Sequence, residues 1–443
     1  MSRIIAYDLC RLFIGPNFAT PRGIDRVDLA VANHIFADPD GPNIGILPTP
    51  LGVRAYPAHV ARLLLDHLHL IWGEGAETAD DVRLHRLIAD MQSRAPVGPL
   101  DAPSTAGLTP TQGILRSLAM LREIGVRVGI TASKAVPADA VYVNMGQLAL
   151  AVPMFFDWLQ KRPDVACALM IHDTIPLDHP ELVKPASVAH HARMVRTAAA
   201  HADCLIFSTA FAQASVNGAL VRLGHDPCPS LVRSLPVPAA FAEGQGSLPE
   251  LSGIHYFMAV STIEPRKNFA LLLRIWEQLT AAMGDAAPHL VVIGTPGLNA
   301  ARILAPLATS PRLRERVHHV FGLSSPALAR LMSGCAALLS PSFAEGFGLP
   351  LLEGIAMGVP TIASDIPSHR EIAHGTTTLL EADDEAGWKR AILSVPRVRG
   401  GRPPSIPEHM TEAAYCDDVL AFLSSASSGR HGPSGSRLTV ESD

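Results

Sequence analysis

Short runs of uninterrupted apolar residues recur along the chain. Between them, apolar residues return every three or four positions. The first pattern predicts buried strands and the second amphipathic helices. Ile4–Leu9, VYVN (141–144), VACALMIH (165–172) and LIFST (205–209) read as strands of the first half. IDRVDLAVANHIF sets Ile24, Val27, Val31 and Ile35 on one helical face. Residues 40–60 hold too many Pro and Gly for either pattern to be read. After Gly253 the alternation becomes regular. YFMAV (256–260), LVVIG, HHVFG, ALLSPS, TIAS (361–364) and TTLLE are strands, with helices at Phe269–Leu279, Ala300–Leu307, Ala327–Met332, Pro350–Met357 and Glu385–Leu393. Such alternation predicts a parallel sheet covered on both faces, and about six strands fit a doubly wound, Rossmann-like α/β domain. The first half looks similar but less regular.

At 443 residues the chain is too long for one average domain. Composition turns small, polar and turn-forming over Ala239–Gly253. The expected division is therefore a first domain at 1–240, a linker at 241–253, a second domain at 254–406, a closing helix at 407–423 and a Ser/Gly-rich, disordered tail at 424–443. A net charge of -5 with no long basic block argues against nucleic acid as a partner, while leaving room for a local basic pocket. The six cysteines are scattered without a C-x-x-C pair, which fits reduced thiols in a cytoplasmic protein. Asp8 and Arg11 interrupt the first apolar run too early for a signal peptide, and no stretch approaches the roughly 18 apolar residues of a membrane span. A peripheral seat on the inner membrane face is left open.

In doubly wound sheets ligands sit beyond the carboxyl ends of the strands, so the strand-to-helix loops carry the chemistry. STIEPRKN (261–268) offers Asn268 as an N-cap, with Arg266 and Lys267 at a helix N-terminus. Two cations there oppose the helix dipole, and a bound phosphate or diphosphate would relieve the conflict; the competing reading is solvated cations paired with Glu264. AEGFGLPLLEG (344–354) sets Glu345 on a loop and Glu353 one turn into a helix begun by Pro350. Gly346 and Gly348 allow close backbone approach or positive φ, and carboxylates accept hydrogen bonds from sugar and ribose hydroxyls. Alone, either glutamate would be an ordinary dipole or surface residue. MIHDTIPL (170–177) puts His172 and Asp173 where the chain leaves the sheet, able to hydrogen-bond a substrate hydroxyl or carry a proton, unless they only form a turn. In FATPRGIDRV, the Gly23, Ile24 and Asp25 amides open a helix and could approach a phosphate or acceptor, with Arg22 and Arg26 adding charge. The D-x-D at Asp38–Asp40 follows a helix in a Pro/Gly loop, and no His cluster offers a ligand set, so no metal is expected.

Together, IEPRKN and FAEGFGLPLLEGIAMGVPTIASDIP resemble the second domain of retaining glycosyltransferases of family 4. IHDTIPLDHPE resembles a first-domain segment of that family, and GIDRV a subset from bacterial polysaccharide assembly. The resemblance spans Tyr256–Ile372 and, more loosely, Met170–Thr209. It implies the GT-B fold, two Rossmann-like domains facing a cleft, the first on the acceptor side and the second binding the nucleotide sugar. It implies that Arg266 and Lys267 hold the diphosphate, that Glu353 binds ribose, and that Glu345 with Gly346, Phe347, Gly348 and Leu349 lies by the donor sugar. His172 would face the reacting carbon, and Phe321, Gly322 and Leu323 would line the base pocket. The final helix would cross back to the first domain. PRGI stands where many members carry Gly-Gly, which leaves the role of Gly23 open. The implied reaction is metal-free transfer with retention, from a nucleoside-diphosphate sugar to a glycan or lipid-linked glycan, with no cofactor. Rival readings are a GT-B epimerase or phosphorylase, or a non-catalytic sugar-nucleotide binder.

Overall fold

Eight strands of the first half hydrogen-bond into one sheet: β1 (Ile5–Asp8), β2 (Ile44–Thr49), β3 (Gly52–Pro57), β4 (Ile130–Thr131), β5 (Val141–Asn144), β6 (Ala166–Met170), β7 (Cys204–Phe207) and β8 (Ser230–Val232). Their order is β4-β3-β2-β1-β5-β6-β7-β8. All neighbours are parallel except β3, which is antiparallel to β2 and β4. This is a computed structural model, and it describes residues 3–17, 20–49, 51–72, 82–93, 110–242, 246, 248–375, 377–396 and 406–426. The last helix runs to Ser425, two residues into the tail expected from 424, and the tail from 427 onward lies outside the described residues.

The unreadable stretch at 40–60 is the β2–β3 hairpin. Gly52 takes φ +97° at its turn, and Pro48 and Pro57 lie within its strands. Those prolines and the turn glycine masked the strand pattern.

The second half forms β9 (Tyr256–Val260), β10 (His289–Ile293), β11 (Val317–Val320), β12 (Leu338–Ser340), β13 (Thr361–Ser364) and β14 (Thr377–Leu380), all parallel, in the order β11-β10-β9-β12-β13-β14. Counted from β9 this is 3-2-1-4-5-6, the doubly wound order of dinucleotide-binding domains. The order reverses between β9 and β12, which share the single register pair Leu338–Met258. A crevice opens at that reversal, because the chain leaves the two strands toward opposite faces.

Successive residues point to opposite faces of each strand. Ala6, Tyr142 and Leu169 enter one apolar cluster, while Tyr7, Val143 and Met170 enter another. That second cluster runs on into Tyr256, Met258 and Val291 of the other sheet, so the domains share packed apolar surface. The segment read as a linker adds Phe241, Leu248 and Leu251 to the same cluster, all buried. Its small and polar composition hid three core side chains.

The chain's last described helix, Glu412–Ser425, packs on the first-domain helix Gly23–Ile35. Arg233 Nε donates to Asp418 at 2.7 Å, and the Val237 amide donates to the Met410 carbonyl at 2.9 Å. No described helix is long and apolar enough to cross a membrane.

Candidate active site

The loops leaving β9 and β12 flank the reversal of strand order. After β9 the chain makes a 3-10 turn at Pro265–Lys267, then enters the helix Phe269–Met283 through Asn268. Asn268 occupies the N-cap position but in the left-handed region, φ 52°, which its short polar side chain tolerates. Its side-chain Nδ2 donates to the Ala382 carbonyl at 2.9 Å instead of the side chain capping the helix as expected. Arg266 and Lys267 meet the loop after β12. Arg266 Nη1 donates to the Ala344 carbonyl at 2.8 Å and to Glu345 Oε2 at 3.0 Å. Its Nη2 donates to Glu264 at 2.8 Å, and Lys267 Nζ pairs with Glu345 Oε1, which also accepts from Ser342 Oγ at 2.7 Å. Two carboxylates thus answer the two cations, and Glu264 is one of the partners. Burial works against the Glu345 charge, but Lys267 and Arg266 outweigh it and hold the carboxyl well below its ordinary range. Burial and the neighbouring guanidinium pull Lys267 below the usual lysine value, more than Glu345 restores.

The β12 loop enters the helix Leu349–Ala356 at Gly348, whose φ of +109° few other residues adopt. Gly346 serves differently: a Cβ there would stand 2.8 Å from the His172 carbonyl and 2.8 Å from Asp173 Cβ. It is the point where the second domain touches the segment leaving β6. Thr209 Oγ1, leaving β7, donates to the Gly346 carbonyl at 3.2 Å. The structure therefore brings His172, Asp173, Glu345, Gly346, Arg266 and Lys267 into one interdomain cleft. A space opens beside them, lined by Asp173, Asp178, Ser215 and Phe211 of the first domain and by Phe343, Glu345 and Ser368 of the second.

His172 is buried. Its Nε2 donates to the Met145 carbonyl at 2.9 Å, which makes Nδ1 the ring's acceptor. Burial, aided by Arg11, lowers its pKa to about 4, so the imidazole is neutral at physiological pH. It is thus set to accept from a hydroxyl, where the sequence left donation and proton transfer open.

Glu353 is wholly buried in the helix Leu349–Ala356. Its Oε1 accepts from Arg26 Nη1 at 2.6 Å, across the domain boundary. Burial raises its pKa, partly offset by Arg26. Gly23 opens the helix carrying Ile24 and Arg26, and a Cβ there would meet Leu349 Cδ2 at 3.5 Å, so Gly23 and Leu349 belong to one interdomain contact. Phe347 and Leu349 are buried. Gly322, with φ +74°, and Leu323 follow edge strand β11, where the Gly322 carbonyl accepts from Arg83 of the first domain at 3.2 Å. They lie apart from the Arg266 cluster in the sheet order. Asp38 and Asp40 form an exposed turn closed by an Asp40 N to Asp38 Oδ1 bond of 3.0 Å, an ordinary structural use.

Several polar groups of this region were not read from the sequence. Arg11 Nε donates to Asp25 at 2.6 Å, and Asp25 accepts the Arg22 amide at 2.9 Å. Asp28 accepts from Tyr7 at 2.5 Å, and Asp8 from Tyr142 at 2.7 Å; burial lifts their pKa values to about 8 and about 6. The available signal was the three-residue spacing of Asp25 and Asp28 on the buried face that also holds Val31 and Ala32. Glu371 accepts the Ala210 and Phe211 amides at 2.7 and 2.8 Å, bridging from the second domain to the first helical turn after β7. No local pattern signals a cap supplied from another domain.

Residues 254–396 match the protein family described as glycosyl transferases group 1. The serotype-specific mannosyltransferase WbdA of Escherichia coli is 29% identical over 230 residues, covering 49% of this chain and 28% of WbdA. The O-antigen chain mannosyltransferase RfbU of Salmonella typhimurium is 30% identical over 144 residues, covering 32% of this chain and 38% of its own. This chain thus spans less than half the length of these relatives. The crystal structure of a UDP-forming alpha,alpha-trehalose-phosphate synthase from Burkholderia xenovorans aligns over 96% of this chain and 99% of that one, with a TM-score of 0.56 at 15% identity. That likeness places the fold in the GT-B class.

Proposed function

We propose that this relative of the group 1 glycosyltransferases moves a sugar from a nucleoside-diphosphate donor, GDP- or UDP-linked, to a glycan or lipid-linked glycan in bacterial polysaccharide assembly. One observation carries the reading. Arg266 and Lys267 stand at the strand-order reversal of a doubly wound sheet, opposite His172 of the other domain. Concentrated positive charge there stabilises a departing diphosphate, and a site partly closed to water strengthens it. The matches to WbdA and RfbU favour a hexose such as mannose; the UDP-forming neighbour keeps uridine in play.

In the proposed reaction the bond from the anomeric carbon to the diphosphate oxygen breaks as the bond to the acceptor oxygen forms on the same face. The acceptor proton passes to the departing phosphate. Configuration is retained, and the two cations serve in place of a metal. Glu345 pairs with both cations, which makes it a poor covalent nucleophile. His172 Nδ1 orients the donor sugar by accepting from a hydroxyl. The space beside them, with three carboxylates to accept from hydroxyls and two phenyl rings, suits the acceptor's sugar. The matches to mannosyltransferases favour transfer over an epimerase.

The test is the Arg266→Ala, Lys267→Ala double variant. Transfer should vanish, and calorimetric affinity for GDP or UDP should fall by several kcal/mol, as for two charge-assisted contacts. Unchanged affinity would remove the anion site. Loss of transfer on adding EDTA, with recovery on adding manganese, would overturn the metal-free assignment.

A further inference from the structure

The ion pair between Arg26 and Glu353 is incompletely satisfied on both sides. Glu353 Oε1 is bound to Arg26 Nη1 at 2.6 Å, but Glu353 Oε2 is buried without a partner. Arg26 Nε is likewise buried without a partner. A carboxylate oxygen needs a donor, and a guanidinium N–H needs an acceptor. Buried polar groups left unmatched cost enough that such gaps are rare, and two on one interdomain pair call for an explanation. A hydroxyl supplies both functions at once, and a vicinal diol supplies them twice.

Arg26 is also fixed in place. Its guanidinium carbon lies 5.6 Å from the centroid of the Phe241 ring, which is buried where the chain crosses to the second domain. The arginine is thus held between the crossing segment and the second domain's carboxylate.

We infer that Arg26 is a specificity-determining residue for the donor, completing with Glu353 a diol-binding pair split between the domains. Glu353 Oε2 accepts from a ribose hydroxyl while Arg26 Nε donates to that hydroxyl or its neighbour. Ribose recognition then requires the first domain, so tight donor binding and cleft closure are one event. This inference rests on the proposed use of a nucleoside-diphosphate donor.

The experiment is calorimetric titration of the full chain with GDP and UDP, and with their 2′-deoxy and 3′-deoxy forms. Removing Arg26 outright would strand a buried carboxylate, so the decisive variant is Arg26→Lys, which keeps the ion pair but lacks Nε. The parent should prefer at least one ribose form over its deoxy counterpart by about tenfold or more, the worth of a hydrogen bond to a charged group. Arg26→Lys should lose most of that preference while binding the deoxy forms as the parent does. If Arg26→Lys keeps the full preference, the pair is structural and the inference falls, with the proposed function intact. Tighter binding of every nucleotide by Arg26→Lys also overturns it, because Arg26 would then be competing with the ligand. A parent that binds neither diphosphate overturns this inference and the proposed function together.

Discussion

Replacing Glu345 by glutamine removes one negative charge from between two cations at nearly constant shape. In the parent this buried side chain takes hydrogen bonds from Arg266 at 3.0 Å and Ser342 at 2.7 Å and pairs with Lys267. A glutamine can accept from one cation but turns amide protons toward the other. Breaking a buried pair costs about 3–5 kcal/mol, and a neutral isostere that keeps some bonds should cost about 3 kcal/mol. The nucleotide-free variant should therefore unfold at a lower temperature. A diphosphate would restore the missing counter-charge, so the variant should bind GDP or UDP more tightly, on the order of tenfold to a hundredfold. Its sugar transfer should fall. The pH response has a definite sign. The folded carboxyl titrates below its ordinary range, so its stabilisation is present at neutral pH and lost on acidification. The stability gap between parent and variant should narrow as the pH falls below about 5. Thermal unfolding with and without diphosphate, paired with calorimetry, measures both effects. Parent-like stability together with unchanged diphosphate affinity would refute the reasoning.

His172 should titrate near pH 4 rather than 6.5 when its imidazole resonances are followed by NMR. Its folded value lies below its unfolded one, so stability should fall between those two values on acidification, by roughly 3 kcal/mol at most; a midpoint near 6.5 would mean the ring is not buried as described. Glu371→Ala should lose two bonds to helix amides at the domain boundary, worth about 1 kcal/mol as for a helix cap. It should enlarge the radius of gyration in X-ray scattering, and an unaltered scattering curve would show that the cleft is held by its apolar contacts alone.

The second domain was legible because its strands are continuous apolar runs with helical stretches between them. YFMAV and TIAS coincide with β9 and β13 residue for residue. The same clarity placed Arg266, Lys267 and Glu345 on loops at the carboxyl ends of strands. The β2–β3 hairpin was not legible, since proline and glycine interrupt the two-residue period there. Nor was the partner of Glu353, because Arg26 lies 327 residues away in sequence and local spacing carries no trace of so distant a contact. Asn268 shows a third limit. Its residue type suits a cap or a left-handed turn equally, and only tertiary contact with Ala382 selects between them.

The backbone passes between the two lobes twice, once on the way out near Phe241 and once on the way home before Glu412. A lobe tied by two stretches of chain and packed along a shared apolar face cannot tumble freely against its neighbour. A stiffening substitution beside Phe241 would slow the motion left to it, and would reach Arg26 through the ring that Arg26 packs on.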